Sequence, residues 1–281
     1  MRLVYTVADM VSAQKEVDRP LGLFPTLGAL HDGHLSLVKR AREDNAAVAV
    51  SIFVNPTQFG PQEDLAAYPR DLVRDLSLLE EMGTDLVFIP QPDDMYPAGF
   101  DTWINVERTT NRLEGESRPD HFRGVATVVA KLFNIVRPDR AYFGQKDAQQ
   151  VQVIRRMNSD LNLGVEIVVM PTVREPDDLA MSSRNAYLSP QERQAALVLY
   201  RALCVAHQMY SQQEQRTPII REALKKMIRD EPMAQLDYVS IANPDTLDEL
   251  EVIQGPALVS LAVLIGKTRL IDNMVLGIKG L

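Results

Sequence analysis

The chain is poor in cysteine, in long apolar runs and in basic charge, and each shortage removes a class of protein. Cys204 is the single cysteine in 281 residues, which excludes an internal disulfide and makes a reducing cytoplasm the expected compartment. It falls at helical spacing with Leu197, Tyr200 and Leu203, so its expected part is packing rather than nucleophilic attack. No stretch approaches the roughly 20 apolar residues of a membrane span. After Met1-Arg2-Leu3-Val4 the charges of Asp9 and Lys15 interrupt any apolar run, so no signal peptide is expected. With 30 Lys and Arg against 38 Asp and Glu, a net charge of −8 and no basic grouping longer than a pair, a nucleic-acid-binding face is excluded. An anionic ligand would have to be held by a local group of cations rather than by the overall field. Internal repeats and low-complexity linkers are missing too.

What is there is ordinary soluble-protein composition, 46% hydrophobic and 24% charged, in a chain long enough for one large α/β domain or a large plus a small one. Short runs rich in Val, Ile and Phe at residues 21–24, 47–54, 86–89, 140–143 and 165–170 read as buried parallel strands. Helix-period segments at 33–44, 65–82, 122–136 and 148–161 lie between them. Parallel neighbours need a crossover and the crossover is usually a helix, so the expected fold is α/β: a Rossmann-like, doubly wound parallel sheet over residues 1–171. After Pro171 the pattern changes. Ser189-Pro190-Gln191-Glu192 reads as an N-cap with proline at the first helical position, opening a helix to about residue 213. A helix at 218–230 and strands at 236–242, 258–265 and 268–276 follow, predicting a smaller α+β C-terminal domain over 172–281, with the boundary near 171–178.

Ligands of open α/β sheets bind at the carboxyl ends of the strands, and the residues that follow these strands are polar in a particular way. The first is followed by Pro25-Thr26-Leu27-Gly28-Ala29-Leu30-His31-Asp32-Gly33-His34, the second by Asn55-Pro56-Thr57-Gln58-Phe59-Gly60, the fourth by Gly144-Gln145-Lys146-Asp147 with Gln149 and Gln150, and the fifth by Pro171-Thr172-Val173-Arg174. His31 and His34 thus stand where a strand hands over to a helix, whose first N–H groups and partial positive charge suit a phosphate. The spacing suggests chemistry on a nucleoside triphosphate. Two other readings stay open: a metal site, although no His-Glu-x-x-His pattern or cysteine pair accompanies it, and a structural pair in which one histidine caps the helix. At the start of the second domain, Met181-Ser182-Ser183-Arg184-Asn185 offers two hydroxyls and a guanidinium, a phosphate clamp able to close over its ligand.

The stretches PTLGALHDGHLSLV, SIFVNPTQFG, HFRGVATVVAKLFNIVRPDRAYFGQKDAQQ and PTVREPDDLAMSSRNAYLSPQER, in that order from about residue 20 to 193, resemble the pantothenate synthetase family, AMP-forming ligases of pantoate and β-alanine. The family belongs to the nucleotidyltransferases whose HIGH and KMSKS signatures correspond here to His31 to His34 and Met181 to Arg184. The resemblance implies two steps: pantoate and ATP give pantoyl adenylate and pyrophosphate, then β-alanine displaces AMP. It implies catalytic roles for His34, His31, Lys146 and Arg184. ATP would be held by Leu27, Gly28, Ala29, Leu30, His31, Asp32, Gly33, His34, Gly144, Gln145, Lys146, Asp147, Val173, Met181, Ser182, Ser183 and Arg184. Within that set Asp147 and the Val173 backbone would meet ribose and adenine. Pantoate and β-alanine fall to Gln58, Gln150 and Asn55, with Leu27, Phe59 and Val129 toward the gem-dimethyl group. Mg2+ would ride mainly on the ATP phosphates, the second domain would act as a lid, and the protein would be a homodimer through the larger domain. No nucleic acid or membrane partner is implied.

These residue types suit the chemistry. A carboxylate attacking the α-phosphorus needs no general base; it needs alignment and neutralisation of the leaving pyrophosphate. Amides can hold pantoate without withdrawing electron density from its carboxylate as an arginine would. Leu27 stands where the family commonly has Met, Gln145 where Glu is frequent, and Asp178 where a Gly is common, which sets a carboxylate near a loop expected to meet triphosphate. The rival readings are a nucleotidylyltransferase of the same superfamily and a non-catalytic nucleotide-sensing module. The first would bind an anionic acceptor with Arg or Lys, and residues 55–60 contain neither; the second would be free to lose the histidines, Lys146 or Arg184.

Overall fold

The computed structural model describes residues 1–61 and 63–277. In chain order the elements are β1 (Arg2–Val4), α1 (Val7–Ala13), β2 (Leu21–Thr26), α2 (Asp32–Asp44), β3 (Ala47–Ile52), α3 (Leu72–Glu81), β4 (Leu86–Phe88), the one-turn helices α4 (Pro92–Met95), α5 (Glu107–Thr110) and α6 (Glu114–Ser117), α7 (His121–Val136), β5 (Arg140–Gly144), α8 (Ala148–Asp160), β6 (Glu166–Met170), α9 (Pro190–Ala196), α10 (Val198–Ser211), α11 (Thr217–Arg229), β7 (Ala234–Ala242), β8 (Ala257–Ile265) and β9 (Thr268–Leu276). The chain divides into two compact units, Met1–Gln145 with Gln149–Pro171, and Lys146–Ala148 with Thr172–Leu281.

The first unit is built on a parallel sheet of order β1-β4-β3-β2-β5-β6. Side chains alternate across a strand, and the apolar residues here use both faces. Leu21, Leu23, Ala47, Ala49, Ala141 and Phe143 join one core with α1, α7 and α8. Phe24, Val48, Val50, Ile52 and Tyr142 join another with α2 and α3. The sheet is therefore doubly wound. After β2 the chain builds outward through β3 and β4, then returns to place β5 on the opposite side of β2. That reversal opens a crevice at the carboxyl ends of β2 and β5, where such sheets take their ligands.

In the second unit β7, β8 and β9 form an antiparallel sheet with β8 in the middle. Residues of α9, α10 and α11, among them Leu199, Leu203, Ile220 and Leu224, share one core with Val259, Leu261 and Val263 of β8. Among the described residues no helix is long and apolar enough to cross a membrane.

Several elements differ from the sequence expectation, the one-turn helices α4, α5 and α6 among them. The three-residue edge strand β1 and the helix α1 are additions; Arg2 and Leu3 are exposed, so β1 carries no buried run to read. The helix expected at 65–82 begins only at Leu72, because Pro69 disfavours helical backbone before it and Asp71 caps the start, its side chain accepting from the Arg74 N–H at 3.1 Å. The long helix expected after Ser189 is two, divided at Leu197, whose N–H reaches back only three residues to Gln194 O.

Candidate active site

The turn after β2 is shaped by two consecutive left-handed residues, Gly28 (φ 91°) and Ala29 (φ 52°). The Gly28 N–H donates to Thr26 Oγ1 at 3.1 Å, and those of Ala29 and Leu30 donate to the two carboxylate oxygens of Asp75, each at 2.8 Å. Leu30 is 1% exposed and its carbonyl accepts from Arg74. The side chain and both backbone polar groups of Leu30 are thereby engaged inside the protein. His31 follows as the N-cap residue of α2 in extended conformation, its side chain making no capping bond; the helix-capping alternative for it is removed. The imidazoles of His31 and His34 stack with centroids 3.8 Å apart and planes 18° apart, and Phe24 lies 5.7 Å from His34. Both histidines are half-buried, and Asp32 is exposed. The N–H groups of Asp32 and Gly33 belong to the first turn of α2, where no intrahelical acceptor exists.

After β3, Asn55 is 1% exposed. Its Oδ1 accepts from the Thr57 N–H and from the hydroxyls of Thr57 and Tyr96, while its Nδ2 donates to Gly124 O and to Gln58 Oε1, both at 3.2 Å. A backbone N–H can only donate and a carbonyl can only accept, so the Asn55 amide has one orientation, and it fixes that of Gln58. The Gln58 carboxamide turns its oxygen inward and has its NH2 left to donate, with no partner among the described residues. Asn55, expected to bind substrate, thereby orients Gln58. Burial pushes the Tyr96 hydroxyl pKa up and keeps it a donor.

The same loop is held from α7. The Gln58 carbonyl accepts from His121 Nδ1 at 2.7 Å, and His121 Nε2 faces the Arg118 guanidinium at 3.2 Å. Since the carbonyl accepts and the guanidinium donates, His121 must be neutral with its proton on Nδ1. Burial first, and the Arg118 charge second, lower its pKa to about 4. Arg118 in turn grips Glu63 through Nε and Nη2 at 2.7 and 2.6 Å. Gly124 allows this approach: a Cβ there would lie 2.4 Å from Thr57 O and 2.8 Å from Gln58 N. Sequence reading missed His121, Arg118 and Gly124 as the supports of Gln58.

After β5, Gly144 has no atom within 4 Å of where its Cβ would be, so it borders open space. Gln150, in the first turn of α8, is half-buried. Gln149 is 6% exposed and bonded to Thr109 O, Arg112 O and Glu114 N, a structural amide. Val129 is 4% exposed within the core.

In the second unit Lys146 is half-buried, with its carbonyl accepting from Asn273 Nδ2 at 2.8 Å, and Asp147 is exposed. Residues 173–181 fold back on themselves, the Met181 N–H bonding Val173 O and Arg174 pairing with Ala180. Asp178 adopts φ 69° at the tip, a left-handed position that explains why glycine suits it and why Asp, which tolerates that region, can replace it. Its side chain is exposed. Ser182 then caps a 3-10 turn, Ser183–Tyr187, its Oγ accepting from the Arg184 N–H. Asn185, 8% exposed, ties that turn to Ala180 O and Glu175. Arg193 on α9 binds Glu175 and, through Nε and Nη2, Asp177. Arg174 is paired in fork geometry with the buried Asp272 at 2.7 and 3.1 Å. The loop carrying Ser182, Ser183 and Arg184 is thus braced from within its own unit.

Among the described residues no group of three or more His, Cys, Asp or Glu side chains is arranged to hold a metal ion. The expected site residues of the first unit are mainly imidazoles and amides, and those of the second include hydroxyls, one lysine and one arginine, side chains suited to an anion. The family model for pantoate-beta-alanine ligase matches residues 2–275. The chain belongs to that family. The pantothenate synthetase of Roseiflexus sp. is 59% identical over 98% of this chain and 99% of that protein, and that of Chloroflexus aggregans 56% identical over 98% and 100%. Crystal structures agree. The pantothenate synthetase of Thermus thermophilus superposes with a TM-score of 0.93 at 49% identity, covering 98% of this chain and 99% of that one. The Francisella tularensis pantoate-beta-alanine ligase, complexed with beta-gamma ATP and beta-alanine, gives 0.80 at 34% identity over 98% and 97%. The parallel-sheet unit and the smaller antiparallel unit are the architecture of these ligases.

Proposed function

We infer that this ligase condenses pantoate with β-alanine in two steps, using ATP and releasing AMP and pyrophosphate. The observation that carries the reading is the stacked pair His31 and His34 on the first turn of α2, beside the strand-order reversal between β2 and β5. In the first step a pantoate carboxylate oxygen bonds the α-phosphorus of ATP and the bond to the pyrophosphate oxygen breaks. The imidazoles donate toward the phosphates, assisted by the unpaired N–H groups at the start of α2. Lys146 bridges phosphate oxygens, and Ser182, Ser183 and Arg184 take the charge of the departing pyrophosphate. Mg2+ would ride mainly on the ATP phosphates, where it would neutralise charge on the leaving pyrophosphate. Asp147 and the Val173 backbone bind ribose and adenine, with Gly144, Gln145 and Met181 beside them.

Pantoate is held by Gln58 and Gln150. The inward-turned Gln58 oxygen leaves N–H donors for the acid's oxygens, without the full charge that would blunt the attacking carboxylate. In the second step the β-alanine amine, unprotonated, attacks the pantoyl carbonyl; the acyl–phosphate bond breaks, AMP leaves and the new amide loses a proton. The mixed anhydride between the steps must be kept from water, and the second unit acts as the lid that does so. The working form is a homodimer in a reducing cytoplasm, in keeping with the single Cys204. Incubation with ATP and pantoate, with and without β-alanine, tests the reading. AMP that appears in step with pantothenate only when β-alanine is added supports it. A stable dinucleotide product, or ATP binding without turnover, overturns it.

A further inference from the structure

Asp75 is 1% exposed in the first turn of α3, yet among the described residues it forms no ion pair. Its two oxygens accept only the Ala29 and Leu30 N–H groups. Burying a carboxylate without a cation is unfavourable; the helix N-terminus offsets part of the cost, and what remains must be held in place by what the group does. It receives the chain where the backbone is least comfortable. Gly28 and Ala29 are both left-handed, and for Ala29, which carries a Cβ, that conformation persists only where its surroundings impose it. The same turn of α3 supplies a second restraint, because Arg74 Nη1 donates to Leu30 O at 2.9 Å. Packing closes the third side: a Cβ on Gly28 would come to 3.1 Å from Asp75 Oδ2 and 3.2 Å from Ile52 Cγ2. His31 follows immediately, so the dihedrals of residues 28–30 set where the stacked imidazoles point.

We propose that Asp75, with Arg74, is a positioning residue of the adenylation step, fixing the left-handed turn that aims His31 and His34. The proposal rests on the reading that these histidines meet the phosphates of ATP. It follows that the Ala29 and Leu30 N–H groups are not phosphate ligands, since Asp75 already occupies them.

The test compares two half-reactions by rapid quench: pyrophosphate release from ATP and pantoate, and amide formation from pre-made pantoyl adenylate and β-alanine. Asp75→Asn preserves volume but turns an NH2 toward one of the two backbone donors. Adenylation should fall about 10- to 100-fold, the range for a displaced catalytic group, with amide formation changed by less than about threefold. Adding Ala29→Gly to Asp75→Asn should restore part of the lost adenylation rate, because glycine adopts positive φ without strain. If Asp75→Asn does not fold, Arg74→Ala carries the test, with a smaller loss confined to the first half-reaction. Equal losses in both half-reactions, or none, overturn the proposal. His34→Ala runs alongside: if it slows adenylation and neither brace variant does, Asp75 has been misread, whereas unchanged adenylation in His34→Ala removes the reading of the histidines and the proposal with it.

Discussion

The turn before α2 and the loop before α9 are both assigned to phosphate, and they are stiffened in opposite ways. The first rests on one buried carboxylate that accepts two backbone N–H bonds in a dry setting. The second rests on Asn185, Glu175, Asp177 and Arg193, a network whose charged side chains keep roughly a quarter to a third of their surface in water, 30% for Arg193, 23% for Glu175 and 30% for Asp177. Buried hydrogen bonds to a charge are screened little by salt, whereas exposed ion pairs are screened strongly and contribute little singly. On the proposed reading, the first loop would hold one geometry and the second would follow a departing pyrophosphate, and these different supports suit those two tasks.

The comparison breaks most visibly if the histidines are removed. His34→Ala is expected to lower the adenylation rate by on the order of 100-fold or more, the loss typical of a positioned donor, with the thermal midpoint little changed; a folded variant with normal pyrophosphate release would undo the assignment. Arg184→Ala should slow adenylation far more than amide formation from pre-made pantoyl adenylate, because pyrophosphate has left before β-alanine attacks. Equal slowing of both half-reactions would move Arg184 from the pyrophosphate to AMP or to general structure. Gln58→Ala should weaken pantoate by about 10- to 100-fold, the effect of an unpaired polar group costing roughly 1–3 kcal/mol, while ATP affinity measured by titration without pantoate stays within a few-fold.

Smaller effects sharpen the contrast. His121 has its pKa depressed from 6.5 to about 4, so the unfolded chain takes up a proton before the folded one does. The stability it contributes is intact above about pH 6.5 and is lost progressively as the pH falls toward 4. The difference in urea midpoint between the native protein and His121→Gln should shrink across that window; a constant difference would mean that His121 does not hold the Gln58 loop as a neutral base. The smallest effect is that of salt. Raising ionic strength toward about 1 M should diminish the few-fold adenylation defect of Arg193→Gln, because the native network is itself screened, and leave the Asp75→Asn defect unaltered. The reverse pattern would erase the distinction between the two braces.

Most of the fold was readable because it is written locally. The runs at 47–54 and 140–143 alternate between two buried faces, and α7 and α8 start and stop within a residue or so of their patterns. The candidate site side chains of the first unit stand out in the sequence for a similar reason, since they follow strand ends. Their supports do not. Asp75 lies 45 residues from Leu30, and His121 lies 63 from Gln58, distances at which no periodicity operates. One signal was available: Asp75 and Leu79 are the buried residues of α3, four apart on the same face, and a carboxylate on an apolar stripe asks for a partner. That Asn55 orients Gln58 is likewise visible only in the fold.

Gly124 bears on how this enzyme could be redesigned. Without a side chain there, α7 sits directly against the peptide between Thr57 and Gln58, with a Cβ excluded at 2.4 Å. That peptide cannot move toward α7, so if Gln58 holds the hydroxy acid as proposed, a bulkier one cannot be admitted by letting the loop yield in that direction. Room for a new substrate would have to be carved from the side chains around the acid, and a library directed at the loop backbone would return mostly dead clones.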